Sequence, residues 1–349
     1  MSRSMPDVRL AVAGVQYGGW TSIRVQRGME QVSGQFTLAV TERWAGQDQV
    51  RPIRPGAECR VLIDGSPVVT GYVDDVAIDY DDREHTISVS GRDRTGDLVD
   101  CSAPSTQFAG RTLADVARDL CHPYGIAVHV LTDVGGPFAR LKGNEGDSVF
   151  EMLESAARIR GVLLMSDGLG GLVIARAGTG RVPETLSLGR NVRRCSGSYS
   201  HRDRYSSIVV KGQAGGTDNW FGDAAAGPNA SVTDASITRH RPLTLVAEEA
   251  IDTASASERA EWERNVRYGR SRKLTYTVGG WSHAGGLWAP NVMVPVVDKF
   301  QGLEMDLLVA DVSLILDAQG QRAELALVPR ETFLKMELPE PGGKGDLTW

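Results

Sequence analysis

Residues 281–333 read WSHAGGLWAPNVMVPVVDKFQGLEMDLLVADVSLILDAQGQRAELALVPRETF. Apolar residues alternate there in two short runs: Val292, Val294 and Val296, and then Leu308, Ala310, Val312, Leu314 and Leu316. Gly, Asp and Asn residues separate the runs, and these residue types favour turns. Alternation with a period of two predicts half-buried β-strands. The stretch therefore predicts a β-meander or a small barrel rather than a loop that carries catalytic motifs.

The N-terminal part of the chain, residues 8–100, repeats this pattern of short β-like runs between glycines. The dipeptide Asp64-Gly65 stands between two such runs and predicts a tight hairpin, because a two-residue turn of this kind needs positive φ angles. The polar residues 79–84 predict a turn before the next strand. Two similar β modules in one chain predict a protein with a structural role rather than an enzyme.

Residues 106–180 change character and predict a small α+β insert. Thr112 and Asp115 have the spacing of a capping box at the start of a helix, which should end near His122 because Pro123 follows. The apolar face of this helix is expected to be Leu113, Val116, Ala117 and Leu120. A short strand over residues 126–130 should come next.

A second helix in the insert is expected to begin at Asp147 or Ser148 and to end at Gly161. Its inward face is expected to be Val149, Met152, Leu153, Ala156 and Ile159. After it, Asp167-Gly168 separates two apolar runs and predicts a hairpin.

The β pattern returns from residue 193. Residues 205–211 predict a strand, which would complete the second β module and make the domains discontinuous. Residues 212–236 are rich in Gly, Ala, Asp and Asn and predict a mobile surface loop. Residues 247–268 predict a regular helix, because Ala and Glu favour helices. The Pro- and Gly-rich residues 336–349 predict an extended tail.

The composition is that of an ordinary globular protein. The chain has 349 residues, of which 41% are hydrophobic and 23% are charged, and this length favours two to four domains. The formal net charge is −6. Tight binding of nucleic acid needs clustered Lys and Arg side chains, so the charge argues against a protein that wraps DNA. It permits a passage through which DNA slides.

The four cysteines, Cys59, Cys101, Cys121 and Cys195, are far apart in the sequence. They form no C-x-x-C pair, so we expect small buried hydrophobic residues in a reduced protein, with a disulfide framework or a zinc site as alternatives. The N-terminus lacks the apolar run of a signal peptide, and no segment resembles a membrane span. We therefore expect folding in a cytoplasm and no insertion into a membrane.

Sequence motifs of catalysis are missing from the chain. It contains no G-x-S-x-G, no H-E-x-x-H, no P-loop and no G-x-G-x-x-G after a strand. The triplet 201–203 spells the H-R-D of kinase catalytic loops, but no Gly-rich loop or D-F-G accompanies it. The six histidines, His85, His122, His129, His201, His240 and His283, form no i, i+4 pair on a predicted helix. The acidic residues Asp74, Asp75, Asp79, Asp81 and Asp82 predict a solvated turn, with a surface ion as the alternative. We assign no catalytic, cofactor-binding or metal-ligating residue.

Carboxylates and tryptophans leave two alternatives to a structural role. Glycoside hydrolysis needs two carboxylates that are close in space but at no fixed spacing, and candidates are Glu30, Glu42, Glu145 and Glu151. A sugar groove could be lined by tryptophans, which are Trp20, Trp44, Trp220, Trp262, Trp281, Trp288 and Trp349. Packing in β cores and at subunit interfaces explains these aromatic residues more simply.

Four pieces of the sequence, in this order, resemble the baseplate hub proteins of contractile-tailed phages, the Mu-like tail hub and late control protein D group. Residues 65–102 form a meander that ends in S-G-R-D, and residues 111–130 form a helix that leads into G-I-A-V. Residues 146–178 read GDSVFEMLESAARIRGVLLMSDGLGGLVIARAG. The fourth piece runs from AEWERNVRYGRSRKLTYTVGGW at 260–281 into residues 287–329. Their succession covers nearly the whole chain.

This resemblance implies a fold and a role. Hub proteins of this group carry two β-barrel modules that resemble the tail-tube subunit, and a homotrimer presents six such modules in a ring. Duplication within one chain lets three copies match a sixfold tube on one side and a threefold spike on the other. The group offers no catalytic residues.

We therefore expect an α+β, β-dominated chain with two tail-tube-like β-barrel modules, a small α+β insert and a further helix. The expected parts are an N-terminal barrel at 1–105, the insert at 106–190, a second barrel with a surface loop and the helix 247–268 at 191–335, and the tail at 336–349.

The expected function is that of a structural hub in the virion, at the baseplate of a contractile tail. The homotrimer would join the tail tube to the spike protein, contact other baseplate proteins and surround a channel in which DNA is only passing cargo. Assembly would take place in the host bacterial cytoplasm. We expect no enzyme activity and no cofactor. A tail-associated peptidoglycan hydrolase and a host-surface carbohydrate-binding module are the alternatives.

Overall fold

The computed structural model describes residues 6–41, 53–82, 85–211, 229–246 and 253–334. Strands outnumber helices in these residues, and the α+β class with a dominant β content that the sequence predicts is confirmed. The predicted tail at 336–349 and the part of the predicted loop at 212–228 lie outside the described residues.

The N-terminal strands follow the predicted meander. In the described residues they are β1 (Val8–Val12), β2 (Val15–Tyr17), β3 (Ser22–Gly28), β4 (Gln35–Thr41), β5 (Glu58–Ile63), β6 (Ser66–Tyr80) and β7 (His85–Asp93). Asp64 and Gly65 connect β5 to β6 with φ angles of 49° and 81°, and Ile63 pairs with Ser66 across the turn. Positive φ at both turn residues matches the twist of the two strands, so the hairpin prediction is confirmed.

The insert contains both predicted helices. The described elements of the insert and of the residues that lead into it are α1 (Gly96–Asp100), β8 (Gln107–Phe108), α2 (Leu113–Cys121), β9 (Val128–Val130), β10 (Leu141–Lys142), α3 (Val149–Ile159), β11 (Leu163–Ser166) and β12 (Leu172–Ala175). The Thr112 hydroxyl accepts a hydrogen bond from the amide of Asp115 at 3.2 Å, and the Asp115 carboxylate accepts one from the amide of Thr112 at 3.3 Å. Ser148 and Glu151 form the same capping box on α3. The predicted apolar faces of both helices are buried.

The remaining described elements are β13 (Leu186–Ser187), β14 (Val192–Tyr199), β15 (Ser207–Lys211), β16 (Asn229–Thr233), β17 (Pro242–Val246), α4 (Thr253–Arg270), β18 (Arg272–Gly279), β19 (Ser282–His283), β20 (Gly286–Leu287), β21 (Met293–Asp298), β22 (Leu303–Asp317) and β23 (Gly320–Val328). Two predictions are corrected here. β15 does not complete the second β module, because it lies between β16 and β17 in a separate sheet. Residues 229–233 are strand β16, not loop, because β15 offers them an antiparallel partner and α4 covers their apolar side chains.

One sheet of 13 described strands contains strands from both the N-terminal and the C-terminal part of the chain. Its order is β14-β18-β23-β22-β3-β4-β7-β6-β5-β1-β2, with β21 beside β22 and β13 beside β21. The N-terminal and C-terminal strands meet where β22 pairs with β3. Ladder pairing among the described strands leaves each half of this sheet open, so closure into barrels stays a prediction.

The two halves of the sheet contain matching strand sets. β5, β6 and β7 have 6, 15 and 9 residues, and β21, β22 and β23 have the same three lengths. A bulge interrupts the β6–β7 ladder after Val73, and a bulge interrupts the β22–β23 ladder after Val309. In both strands the first paired residue after the bulge is Asp, and Val follows it. The alternating sequence pattern indicates two similar β modules, and these matching strands and bulges show that similarity in the structure.

The core of this sheet takes up three of the tryptophans. Trp20, Trp281 and Trp288 are buried in it, as the packing interpretation of these residues predicts. The indole Nε1 of Trp281 donates to the carbonyls of Ile315 at 3.1 Å and Arg322 at 3.0 Å. A buried indole N–H usually needs such a partner.

Candidate assembly surface

A direct ladder between β3 and β22 joins the two halves of the large sheet. The pairing runs antiparallel from Asp311 opposite Gly28 to Leu316 opposite Ile23. A Cβ on residue 28 would meet the carboxylate of Asp311, so this side chain would have to move if residue 28 were larger than glycine. The ladder places two similar strand sets side by side in one chain.

A second contact, which we call the junction core, ties the insert to both halves. It is a buried apolar cluster made of Met29, Leu163, Met165, Val173, Ala175, Ala177, Leu308, Ala310, Val328 and Phe333. These residues come from the position after β3, from β11, β12 and the residues that follow β12 in the insert, and from β22, β23 and the turn after β23. The insert is thus packed on the sheet at the place where the two halves meet.

A buried carboxylate, Asp93, fixes the insert hairpin to the first half. Its Oδ2 accepts a hydrogen bond from the amide of Gly34 at 2.7 Å, and its Oδ1 accepts one from the amide of Thr95 at 3.1 Å. The hydroxyls of Thr95 and Ser166 also donate to it. Burial raises the pKa of Asp93, while the hydrogen bonds from Ser166, Thr95 and Gly34 act in the opposite direction. Ser166 ends β11, so this contact links the insert to β7.

The acidic residues of β6 are placed on a strand and not only in a turn. Asp79 still belongs to β6, which pairs with β7 to its end, so the predicted turn at 79–84 is wrong at its start. Asp74 lies 2.7 Å from Nε of Arg92, and Arg92 also binds Asp100 at 2.7 Å. In the residues that the structure describes, no cluster of three His, Cys, Asp or Glu side chains could hold a metal ion.

The glutamates considered for hydrolysis belong to separate elements. Glu151 caps α3, where its carboxylate accepts a hydrogen bond from the amide of Ser148 at 2.7 Å. Glu30 follows β3, and Glu145 lies in an exposed turn of the insert. Glu42 lies outside the described residues.

All four cysteines are free thiols, and the prediction that they are buried holds only for Cys59 and Cys121. Cys59 and Cys121 are buried, and burial raises the pKa of each thiol to about 12. Cys101 and Cys195 are partly accessible.

An exposed apolar depression lies between β14 and the turn that connects β21 to β22. We call it the assembly groove; its volume is about 500 Å³, and it is lined by Leu188, Cys195, Gly197, Tyr199, Asp298, Phe300 and Gln301. Leu188, Tyr199 and Phe300 are large apolar side chains that remain exposed. Exposed apolar side chains that cluster in one place point to a contact with another protein.

Hydrogen bonds hold the turn beside this groove in place. The buried carboxylate of Asp298 accepts from the amides of Phe300 at 3.0 Å and Gln301 at 3.2 Å, and from the hydroxyl of Tyr276 at 3.0 Å. Tyr199 donates its hydroxyl hydrogen to Oε1 of Gln301 at 2.5 Å. The groove is therefore built on a rigid turn. Sequence reasoning missed it; the one available signal was an aromatic residue inside a predicted turn.

None of the helices in the described ranges combines the length and apolar character needed to cross a membrane.

Comparison with known proteins then decides the family. Over 339 residues, the chain is 36% identical to the baseplate hub protein gp44 of Escherichia phage Mu, and the match covers 94% of the chain and 89% of that relative. The chain belongs to the Mu-like baseplate hub proteins. A Mu-like hub protein is a structural protein of the phage tail baseplate, so its place is the tail of the virion.

Four family models match successive parts of this Mu-like hub protein. They describe the N-terminal part of a Mu baseplate assembly protein GpP-like chain at 7–93, the second domain of a gp44-like baseplate hub protein at 95–176, the third domain of an NMB1110-like tail protein at 204–262 and the fourth domain of Mu GpP at 252–336.

Solved structures agree with the family. A 43 kDa tail protein of prophage MuSo2 from Shewanella oneidensis is 40% identical, with a TM-score of 0.85 over 95% of this chain and all 100% of that one. A tail protein from Neisseria meningitidis MC58 is 24% identical, with a TM-score of 0.77 over 96% of this chain and 99% of that one. The second similarity shows that the hub fold extends to more distant tail proteins.

Proposed function

We propose that three copies of this hub protein close into a ring of six similar β modules, which joins the tail tube to the central spike and surrounds the DNA channel. The observation that carries the proposal is the match in length, order and bulge position between β5–β6–β7 and β21–β22–β23. A ring of three chains with two such modules each can meet a sixfold partner on one face and a threefold partner on the other.

The partners follow from this geometry. The ring contacts the tube subunits, the spike protein and the surrounding baseplate proteins, and DNA passes through without being held. A net charge of −6 supports the last point, because tight binding of DNA depends on cations that neutralise phosphates.

The four parts 1–105, 106–190, 191–335 and 336–349 serve this role as two ring modules, an insert that braces them and a tail. The role requires no chemistry of its own, and the capping function of Glu151 supports a structural use of a carboxylate considered for hydrolysis. A zymogram with bacterial cell walls should show no clearing; clearing that is lost when one carboxylate is replaced would favour the hydrolase.

Native mass spectrometry of the purified full chain at micromolar concentration tests the ring. We expect the mass of three chains, and electron micrographs along the axis should show six lobes around a hole. On mixing with the spike protein of the same tail, a complex with three copies of the hub should form. A stable monomer that does not bind this spike would refute the proposal.

A further inference from the structure

A cluster of arginines surrounds the C-terminal end of α4. Its members come from the loop between β14 and β15, from the residue before β17, from the last part of α4 and from the start of β18. We call this cluster the arginine patch; it consists of Arg202, Arg204, Arg241, Arg267, Arg270 and Arg272. These residues come from three separate parts of the sequence, so only the fold brings them together.

The ring of Tyr205 holds one side of the patch together. Arg241 and Arg267 both place the guanidinium carbon 5.4 Å from the centre of this ring. Arg241 also donates hydrogen bonds to the carbonyls of Arg204 at 3.1 Å and Arg202 at 2.8 Å. A guanidinium over an aromatic face is attracted by the quadrupole of the ring, so these contacts fix both side chains.

The ring of Tyr268 holds the other side of the patch together. The guanidinium carbon of Arg204 lies 5.1 Å from the centre of this ring, and that of Arg272 lies 4.4 Å from it. Arg272 lies 5.9 Å from the ring of Tyr199 as well. The patch is therefore ordered before a partner arrives, which reduces the entropy that binding costs.

Three side chains of the patch have unused hydrogen-bond donors. Within the described ranges, no hydrogen bond or ion pair is formed by the guanidiniums of Arg202, Arg270 and Arg272. Arg202 and Arg270 are exposed. A guanidinium carries five N–H donors in a planar fork, which matches the two oxygens of a carboxylate or a phosphate. The patch thus offers strong binding groups to an anion.

The patch concentrates positive charge in a chain that is negative overall. With Arg259, which shares the carboxylate of Glu263 with Arg267, it comprises seven arginines. Three carboxylates lie among them, on Asp203, Asp234 and Glu263. Seven positive and three negative charges leave an excess of four, so a formal net charge of −6 for the chain leaves −10 on the remaining residues. An acidic partner is therefore attracted to this part of the surface.

A cavity of about 300 Å³ opens into the patch, and its wall includes Trp262, Arg267, Arg270 and Ser271. A concave site of this size suits one or two side chains of an extended peptide segment. The indole ring can contact the apolar part of such a side chain, and the guanidiniums can bind its carboxylate. Arg, Tyr and Trp are also the residues that contribute most to binding at protein interfaces.

We propose that the arginine patch is a docking site for an acidic segment of another tail protein, whose Asp and Glu carboxylates bind Arg202, Arg270 and Arg272. This inference rests on the part of the proposed function that gives the hub other tail proteins as partners, and it does not depend on closure of the ring.

DNA is the competing polyanion, and charge disfavours it. A DNA duplex that extends beyond the patch meets the negative charge of the remaining residues, which opposes its binding. A short acidic segment contacts the patch alone. The cavity also admits a side chain but not a duplex.

Binding of a fluorescein-labelled oligoglutamate peptide to the full chain tests the chemistry. Fluorescence anisotropy at low salt should show saturable binding that weakens as salt is added, because exposed ion pairs are screened. The triple variant Arg202→Gln with Arg270→Gln and Arg272→Gln should bind the peptide about tenfold to hundredfold more weakly, since each exposed ion pair contributes a modest amount. A short DNA duplex that binds wild type more tightly than the peptide would overturn the choice of partner.

A matched control removes the same charge elsewhere. Arg54, Arg60 and Arg140 are exposed and lie outside the patch, so Arg54→Gln with Arg60→Gln and Arg140→Gln changes the net charge of the chain equally. This variant should bind the peptide almost as tightly as wild type. Equal weakening in both triple variants would show an effect of net charge and overturn the site.

Thermal unfolding shows whether the patch variant folds. If the triple variant does not fold, the double variant Arg202→Gln with Arg270→Gln replaces it, because it keeps Arg272 stacked on its two tyrosine rings. The double variant should also bind the peptide more weakly than wild type, and unchanged binding would overturn the proposal.

Photo-cross-linking in assembled tails identifies the partner. With p-benzoylphenylalanine in place of Arg270, we expect a covalent link to a different tail protein, at a peptide rich in Asp and Glu that mass spectrometry locates. The same cross-linker in place of Arg140 should not reach that peptide. Links only to DNA or to a second copy of the hub, or no link from position 270, would overturn the docking site.

The native mass distinguishes this proposal from the ring. The triple patch variant should keep the mass of three chains, whereas loss of the trimer would place the patch between copies of the hub and overturn the docking site. A wild-type monomer that still binds the peptide through the patch would overturn the ring and leave the docking site intact.

Discussion

The hydroxyl of Ser166, at the end of β11, donates a hydrogen bond to the buried carboxylate of Asp93, at the end of β7. The pair joins the insert to the sheet. We expect Ser166→Ala to lower the free energy of unfolding by about 1–3 kcal/mol, because it leaves a buried acceptor short of a donor. Urea unfolding measures the change. Ser105→Ala, at an exposed position just before the insert, should change it by less than about 0.5 kcal/mol.

The same carboxylate predicts a pH dependence with a definite sign. Burial raises the pKa of Asp93 in the folded state, so the unfolded chain releases this proton at a lower pH than the folded chain does. Below about pH 4 both states hold the proton, and the cost of ionisation is absent. As the pH rises from there through the raised pKa, the folded state is penalised.

Comparison of the wild type with Asp93→Asn isolates this effect. The stability of the wild type relative to the variant should fall as the pH rises through that window and then level off, as measured by urea unfolding at a series of pH values. A relative stability that increases with pH would mean that the hydrogen bonds outweigh burial.

Gly71 is paired with Asp93 where the antiparallel β6–β7 ladder ends. A Cβ at this position would overlap the carbonyl of Arg92 and the Cα of Asp93. These are backbone atoms, so rotation of a side chain cannot remove the overlap. We expect Gly71→Ala to lower the free energy of unfolding by about 2–3 kcal/mol. Gly136→Ala, where a Cβ would meet nothing within 4 Å, is the control and should be close to neutral. Thermal unfolding of both variants distinguishes them, and equal midpoints would contradict the predicted overlap.

Thiol labelling should divide the cysteines into two pairs. At pH 8 a thiol with a pKa of about 12, as at Cys59 and Cys121, is ionised to about one part in ten thousand. We expect a maleimide to label Cys101 and Cys195 first in the folded chain at concentrations where it is dissociated, because Cys195 lines the assembly groove, and all four thiols in denaturant. Mass spectrometry of peptides locates the labels; rapid native labelling of Cys59 would show that its strand opens.

Phe300 tests the assembly groove. Since its side chain is exposed in the single chain, Phe300→Ser should weaken the trimer and leave the unfolding midpoint of the dissociated chain unchanged. Loss of about 1.5–3 kcal/mol per contact corresponds to about a tenfold to hundredfold weaker contact, which sedimentation velocity over a range of concentrations can measure. Leu169→Ser, at another exposed apolar position, should leave the trimer unaffected, and an equal loss there would argue against a specific groove.

Local patterns in the sequence were sufficient to predict the elements that depend only on residues close to one another in the chain. The capping boxes at Thr112 and Ser148, and the alternation along β22, depend on neighbours within a few positions. β15 and β16 were different, because the choice of partner strands depends on residues far away in the chain. A short polar strand such as β16 has the composition of a loop until its partner is known.

The candidate surface was harder to predict for the same reason. Phe300 stands in a turn, and only the fold shows that its ring stays exposed beside Tyr199. The repeat of V-x-D-V at residues 73–76 and 309–312 was a signal that could have aligned the two halves.

β22 also has a mechanical consequence. Its second half belongs to the ladder with β23 and to the ladder with β3 at the same time, so this one strand is hydrogen-bonded to both halves of the sheet. A pull along the strand axis loads the hydrogen bonds to β3 together, in shear, because these bonds lie perpendicular to the strands. A pull across the strands would peel them one pair after another. The joint between the halves should therefore resist axial force better than lateral force.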